Sequence, residues 1–600
     1  MKNIIQNKAK TLLQVIKFFY GKYTKEVIIR DILFVVVTVS EMTAITVSGK
    51  FLDATLNLIS NSDSFDIYGY LRTDSFYFLC ISLLLWIFVT VGNNIRIQIH
   101  QDIAEKVWKD TSLSVITKIS NSNLQDIEKP KLQNLMDYIP NYSIDNLISS
   151  FSSFSNLVYQ LVRGITALAI LYSHLGPSVL VLVLFVFPEV LLSHFNRKLI
   201  QMYNDRKVDS LKLTNYIYYT LATDIGNFNE LRVDNTYDYL RKKYTWARNG
   251  YLRGLFRRRK HFRIDKIFGA VIGQLFKYIY LIYLVAYAII NKVSIGIFSA
   301  LFGYVNVVYG SSFEVFNTIA LLDNRLSYAS KYFEFINHKG FGDENHGYAK
   351  LSKGAPELEL LKLDFAYPDE PERKVLENLS LTIKAGEKVA FFGGDGSGKS
   401  SIIKLLSGLY MVNSGDYLIG GYSIKELDRG QLKRKISVTF QSFVNYSFSI
   451  KENITLAGKK RLDEKLYKEV KKICEIDKFM KREGLTDDLK LGKYLDGKEL
   501  SPGYWQRLAI ARMLYRNRDI FILDEPFTFI DGPSREKIMK GILKFAGAKR
   551  TVILISRDTD VLDMFDHIYV IEKGHITERG DWKKLLKKRG KFYEEVKYNR

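Results

Sequence analysis

The hydrophobic pattern divides the chain in two. Up to about residue 336, long apolar runs alternate with charged, helix-patterned stretches; beyond about residue 357, short apolar runs of strand length alternate with helical spacings. A membrane span needs about 20 mostly apolar residues. Six runs qualify: Ile32 to Phe51, Phe76 to Ile95, Phe151 to Tyr172, Val179 to Phe195, Ile267 to Ile290 and Ile295 to Phe316. The connection 52–73 carries several aspartates and a lone Arg72, and those after the third and fifth runs are only a few residues long. The connections after the second and fourth runs are long and charged, the latter ending in Arg257-Arg258-Arg259-Lys260. Basic residues stay on the cytoplasmic side of a membrane, so a multi-pass protein of the cell membrane with both termini cytoplasmic is expected.

At about 1.5 Å per residue, helices continuing through those two connections carry the spans well past the bilayer, within reach of a soluble domain. They turn at Leu124-Gln125-Asp126-Ile127-Glu128-Lys129-Pro130 and at Asp224-Ile225-Gly226-Asn227-Phe228-Asn229-Glu230-Leu231-Arg232. On residue pattern alone these read as solvated elbows. Residues 1–30 are basic and amphipathic without a small-residue cleavage site. They read as a segment along the inner membrane surface, with Leu12, Leu13, Ile16, Phe18 and Phe19 toward lipid, rather than as a signal peptide. Polar residues within spans are costly, and Glu41, Arg163, Glu189, Lys277 and Glu314 stand out. Arg163 and Lys277 either pair with the carboxylates or meet a cargo passing between helices; Glu189, Lys277 and Glu314 have the further option of reaching out at a membrane boundary.

Composition sharpens this reading. A formal charge of +23 suits nucleic acid or an anionic membrane surface; its placement beside apolar spans selects the lipid bilayer, and no nucleic-acid partner is expected. Only Cys80 and Cys474 are present, neither a disulfide framework nor a zinc site. Residues 337–356 turn to Gly, Lys, Asp, Asn and His with little periodicity, the mark of a linker. The domains expected are 1–30, an interfacial segment; 31–336, an all-α six-helix transmembrane domain with cytoplasmic extensions; 337–356, the linker; and 357–600, an α/β domain.

The chemistry starts at Gly393-Gly394-Asp395-Gly396-Ser397-Gly398-Lys399-Ser400, which fits G-x-x-x-x-G-K-[ST]. Glycines let successive N–H groups turn inward around phosphates, Lys399 brings a point charge, and the Ser400 hydroxyl is offered to Mg²⁺. A buried strand, 388–392, enters the loop and a helical pattern starting at Ser401 leaves it, so a nucleoside triphosphate would rest its phosphates on a helix N-terminus. Tyr367, after the strand 358–365, is the candidate to stack on adenine; a plain turn tyrosine is the alternative. Downstream, the apolar strand 520–523 ends in Asp524 and Glu525. Uncompensated acids there would be expensive. Asp524 is placed to hold Mg²⁺ through water, and Glu525 to orient or deprotonate an attacking water.

These residues resemble the nucleotide-binding domain of ABC transporters. Gln441 in Val438-Thr439-Phe440-Gln441 matches the family's Q-loop glutamine, which implies a role in catalysis and at the metal. Leu500-Ser501-Pro502-Gly503-Tyr504-Trp505-Gln506-Arg507 stands where the signature LSGGQ would, giving Ser501 and Gly503 as nucleotide contacts, and Asp531 matches the D-loop aspartate. Six spans ahead of such a domain resemble the type IV exporter half-transporter, in which the two elbows occupy the coupling-helix positions. The run 440–446 with 449–454, and the Trp505-Gln506 pair, are similar to exporters of lantibiotics and other ribosomal peptides. No peptidase domain with a catalytic cysteine is expected ahead of the spans, so removal of a leader, if the cargo has one, would happen elsewhere.

Two departures stand out. Pro502 and Tyr504 replace the first glycine and the glutamine of the signature, and Arg557 stands where the family's switch histidine would. Proline removes an N–H where donors face the γ-phosphate. Arginine stays charged but can still clasp phosphate with its fork of donors. The resemblance implies a nucleotide held between one chain's phosphate loop and the signature of a second half-transporter, with a homodimer favoured over a heterodimer because Glu525 is retained. The expected activity is ATP-driven export of a peptide or other amphipathic cargo. The alternatives are a lipid or multidrug exporter of the same architecture and a weakly hydrolysing, nucleotide-gated scaffold.

Overall fold

The computed structural model describes residues 2–61, 66–122, 124–139, 143–185, 202–203, 207–338, 349–456 and 462–598. The chain forms two compact units whose borders are not the linear ones. The first comprises Met1–Val115 and Leu135–Asn337, the second Ile116–Asn134 and His338–Arg600.

The first unit is helical. Among the described residues five stretches are long and apolar enough to cross a membrane: Thr24–Asn61, Asp74–Ser120, Ile144–Leu184, Ile267–Ile290 and Ile295–Ile336. The fourth expected span begins in the helix Leu180–Phe185, and its remainder, with Glu189, lies outside the described residues. Helices overrun the apolar runs as their patterns require; Thr236–Ile290 is 55 residues long, about 80 Å at the usual rise. The first and last spans touch through backbone. A Cβ on Gly49 would lie 2.5 Å from the Gly296 carbonyl, so both positions admit only glycine without a shift. Asp53 fixes the same junction, accepting from Ser294 Oγ and Gly296 N at 2.7 Å each.

The N-terminal helix Lys2–Lys22 is amphipathic as expected, but its apolar stripe packs on other helices. Val15 and Phe19 are fully buried, Phe19 stacking on Phe151 at 3.9 Å, and Leu12 and Phe18 pack against the same cluster. Leu13, by contrast, is 67% exposed. Thr11, Val15 and Phe19 recur every fourth residue, so one stripe faces the helical core and Leu13 lies on the other face. Phe18 and Phe19 therefore do not point to lipid. Of the span charges, Arg163 pairs with Glu41, and Lys277 donates to Asn306 Oδ1 at 3.4 Å.

The second unit is α/β. Its strands are β1 (Leu358–Ala366), β2 (Lys374–Ile383), β3 (Lys388–Phe392), β4 (Ser414–Ile419), β5 (Tyr422–Ser423), β6 (Ile436–Thr439), β7 (Ile520–Asp524), β8 (Thr551–Ser556), β9 (His567–Glu572) and β10 (His575–Gly580). The large sheet has the order β10-β9-β3-β8-β7-β6, parallel throughout except for β10, and a smaller antiparallel sheet runs β2-β1-β4-β5. Alternation along β3 sends Ala390 and Phe392 into one core and Val389 and Phe391 into the other. Neighbouring strands β3, β8 and β7 end together, which brings the loop after 392, Arg557 and Asp524-Glu525 to one edge, where ligands of parallel sheets bind.

The first elbow belongs to this unit. Helix Leu124–Ile127 lays Leu124 against the core of β1, β3 and the helix Lys399–Leu406. Gln125 Nε2 donates to the Met411 carbonyl at 3.3 Å, and the buried Tyr410 hydroxyl donates to the Glu128 carboxylate. The second elbow, Ile225–Asn227 and Phe228–Val233, is a short helical turn in the first unit.

Candidate nucleotide site

The loop after β3 is shaped by backbone that tolerates no side chain at two glycines. A Cβ on Gly393 would lie 2.3 Å from the Ile571 carbonyl, and Gly398 holds φ +105° as N-cap of the helix Lys399–Leu406. Lys399 is 5% exposed. Its ammonium is satisfied by the Gly393 and Gly394 carbonyls, both at 2.6 Å, and by Ser397 Oγ at 3.2 Å. Burial pushes its pKa below the usual lysine value, although the Glu525 carboxylate opposes the shift. A cavity of about 340 Å³ opens here, lined by Tyr367, Glu370, Arg373, Val375, Glu525, Arg557 and the loop from Asp395 to Ser401. The Tyr367 hydroxyl lies 2.9 Å from Ser401 Oγ, with Lys404 Nζ over its ring at 4.8 Å.

Asp524 and Glu525 follow one another but live differently. Asp524 is buried, and Oδ1 has no hydrogen-bond partner. Burial, then the neighbouring Glu525 charge, pushes its pKa up to about 6. An orphaned, buried carboxylate oxygen is what a cation site leaves open, so the acid fits a role at Mg²⁺. Ser400, Gln441 and Asp524 are the residues that would hold the ion, and among the described residues no three His, Cys, Asp or Glu side chains converge on one. Glu525 takes φ +43°, held by its N–H to the Ile555 carbonyl at 3.0 Å. Its two oxygens are each taken: Gln441 Nε2 donates to Oε2 at 2.9 Å and Arg557 Nε to Oε1 at 2.5 Å. Arg557 also pairs with Asp395. Its pKa is raised further by the Glu525 hydrogen bond.

The signature residues form a separate place. Ser501 is N-cap and Pro502 the first residue of the helix Pro502–Tyr515, where a missing N–H costs the helix nothing, and the N–H groups of Tyr504 and Trp505 return to the Ser501 carbonyl. A Cβ on Gly503 would meet the Phe529 carbonyl at 2.6 Å. Tyr504 stacks on Phe479 at 4.1 Å, a contact the glutamine it replaces would not make. Ser501, Gly503 and Asp531 line a cavity of their own, about 640 Å³, that includes none of the phosphate-loop residues. Asp531 caps the helix Gly532–Ala546 through Ser534 N.

Two supports were not visible in the sequence pattern. Gln506 accepts from Phe529 N at 2.9 Å and donates to the Glu525 carbonyl at 3.3 Å, linking the helix Pro502–Tyr515 to the end of β7. Glu475, at φ +54°, gathers Lys478, Lys537, Arg507 and Ser534. Burial raises its pKa, but those partners outweigh it and hold the carboxyl at about 2.

Residues 376–528 match the ABC transporter family. A solved bacterial Atm1-family ABC exporter with ATP bound superposes with a TM-score of 0.79 over 96% of this chain and 99% of that one, at 17% identity. The chain carries an ABC transporter domain on an exporter fold. Two known proteins match this chain along most of its length. It is 28% identical over 529 residues to the subtilin transport ATP-binding protein SpaT of Bacillus subtilis, covering 84% of each chain. It is 24% identical over 534 residues to the nisin transport ATP-binding protein NisT of Lactococcus lactis subsp. lactis, covering 86% of this chain and 87% of that one. A putative multidrug export ATP-binding/permease protein of Staphylococcus aureus (strain bovine RF122 / ET3-1) shares 35% over 235 residues, 39% of this chain and 40% of its own. An ABC transporter domain implies ATP as ligand.

Proposed function

We propose that this ABC exporter moves an amphipathic peptide out across the cell membrane, as a homodimer that hydrolyses Mg-ATP, with both termini cytoplasmic. The observation that carries the hydrolytic part is Glu525, whose carboxylate stands at the strand end beside the phosphate-loop cavity with both oxygens held by exchangeable partners. The peptide part is supported by the names of the two relatives matched over most of their length, the subtilin and nisin transport proteins.

Phosphate oxygens replace the Gly393 and Gly394 carbonyls around the Lys399 ammonium, and the glycine N–H groups complete the cradle. Mg²⁺ supplies positive charge to the phosphates. Arg557 turns its fork of donors from Glu525 to the γ-phosphate. Glu525, released, accepts the proton of a water that attacks the γ-phosphorus as the bond to the bridging oxygen breaks. The signature of a second chain closes the site with the Ser501 hydroxyl and Gly503 N–H. Because Pro502 contributes no donor and Arg557 must leave an ion pair, turnover is slow. The elbow at Leu124–Pro130 passes closure to the spans through Glu128 and Tyr410.

The test is phosphate release and uptake of a labelled amphipathic peptide by inside-out proteoliposomes. Mg-ATP should drive both, and Glu525→Gln should stop both while nucleotide still binds. A second reading, a nucleotide-gated scaffold, is favoured by the Arg557–Glu525 pair itself; it expects peptide binding without accumulation.

A further inference from the structure

The helical unit contains a cavity of about 540 Å³ that the nucleotide chemistry does not use. It lies between the N-terminal helix, the first two spans, the helix Ile144–Leu175 and the last span. Its wall holds three guanidiniums, Arg30, Arg96 and Arg325, against two carboxylates, Asp31 and Glu314. The pairing is incomplete. Arg30 is 4% exposed, and its Nε and one terminal nitrogen are taken by Asp31, at 3.0 and 2.6 Å, while the other terminal nitrogen is buried with no partner. Arg96 Nε and Ser155 Oγ, both on this wall, are likewise buried and unpartnered. Arg325 is engaged by the Ser149 carbonyl and Ser153. Three buried donors without acceptors on residues of one wall are expensive unless something pairs with them. Phe34, Phe154 and Val158 line the rest of the wall, so the occupant pairs an anionic oxygen group with apolar surface.

We propose that this cavity binds a carboxylate of the exported peptide, an acidic side chain or the C-terminus, through Arg30, Arg96 and Ser155. The proposal rests on the peptide-export reading. A planar, singly charged carboxylate suits the remaining donors, since a guanidinium N–H, a second guanidinium N–H and a hydroxyl are the open groups. Asp31 and Glu314 on the same wall disfavour an anion of higher charge. A phospholipid headgroup is the competing occupant, and the test separates it.

The full-length protein in phosphatidylcholine nanodiscs, without nucleotide, is titrated with a short fluorescent amphipathic peptide carrying one glutamate and an amidated C-terminus, and with its glutamine counterpart; empty nanodiscs are the blank. The glutamate peptide should bind about tenfold more tightly, the scale of one charge-assisted contact. That preference should disappear in Arg96→Gln and return in Arg96→Lys. Equal binding of the two peptides to the unaltered protein overturns the assignment and needs no variant to fold. Displacement of the glutamate peptide by phosphatidylglycerol added to the disc, lost in Arg96→Gln, also overturns it and makes the cavity a lipid site. Because no ATP is present, these outcomes are separate from peptide uptake in proteoliposomes, whose failure would sink the export reading instead.

Discussion

Two glutamates of the ABC domain share a backbone geometry and part in every other respect. Glu475 and Glu525 both sit in the left-handed region, at φ +54° and +43°, and both face arginine. Strain of this kind persists only where surroundings over-determine it. Around Glu475 the determinants are permanent: Arg507 and Lys537 on helices, the Ser534 hydroxyl and Lys478 one turn on. Around Glu525 the backbone is held by the Ile555 carbonyl and Gln506, but the carboxylate meets two exposed side chains, Gln441 and Arg557. A strained, ion-paired acid is thus not by itself a mark of catalysis. What separates the two is whether the partners can leave without unfolding anything.

Changing each acid should separate them most sharply. Glu525→Gln should lower phosphate release by roughly 10²–10⁴-fold, the range for losing a general base, with Mg-ATP affinity kept by equilibrium dialysis. A fall in thermal stability of comparable weight would instead make Glu525 structural. Glu475→Ala should destabilise the protein by about 2 kcal/mol, seen as a lowered Tm, because the buried Arg507 loses its nearest carboxylate and keeps only the Cys474 carbonyl at 3.2 Å and Asp531 at 3.6 Å. Glu475 also titrates in a definite sense. Its folded pKa of about 2 lies below the unfolded value of about 4.3, so its contribution is complete above that value and is lost as pH falls toward 2.

Asp524 should behave oppositely. With a folded pKa of about 6, raised by burial and by Glu525, the charged form costs stability above pH 6 and the cost fades below it. Mg-dependent nucleotide affinity, which needs the carboxylate, should weaken as pH falls through about 6 in isothermal titrations. Arg557→His should raise kcat several-fold, since a histidine can release Glu525 uncharged; an unchanged or lower kcat would show that the arginine does not restrain the base. The smallest effect belongs to Tyr410→Phe, about 1 kcal/mol for one hydrogen bond to Glu128, read as fewer peptides moved per phosphate released.

The two lobes also differ in how far the sequence exposes them. Lys399, Asp524 and Glu525 stand out in the sequence because each pattern is local: a loop and one strand end with short, fixed spacing. The Arg557–Glu525–Gln441 contact could be anticipated only as separate motifs, since it depends on β8 and β7 lying side by side. Glu475 was silent because its partners lie up to 62 residues apart. From sequence Pro502 is a lost donor, and the structure adds that it begins a helix where that loss is harmless to folding. In the membrane half, apolar runs place the spans, but not which face each side chain takes; Phe19 turns inward because Val15 and Phe151 offer it a core. Arg30, Arg96 and Arg325 look from the sequence like unremarkable charges near span ends, and only helix packing gathers them around one cavity.

The elbow at Leu124–Pro130 has a consequence for anyone cutting this chain. A soluble fragment beginning at residue 338 would match the linear boundary yet lack Leu124 and Glu128, leaving an uncovered greasy socket beside the helix after the phosphate loop and a deeply seated Tyr410 hydroxyl with no acceptor. Such a fragment should be sticky and less stable than the same domain in the whole protein, and a tethered copy of residues 116–134 should mend it.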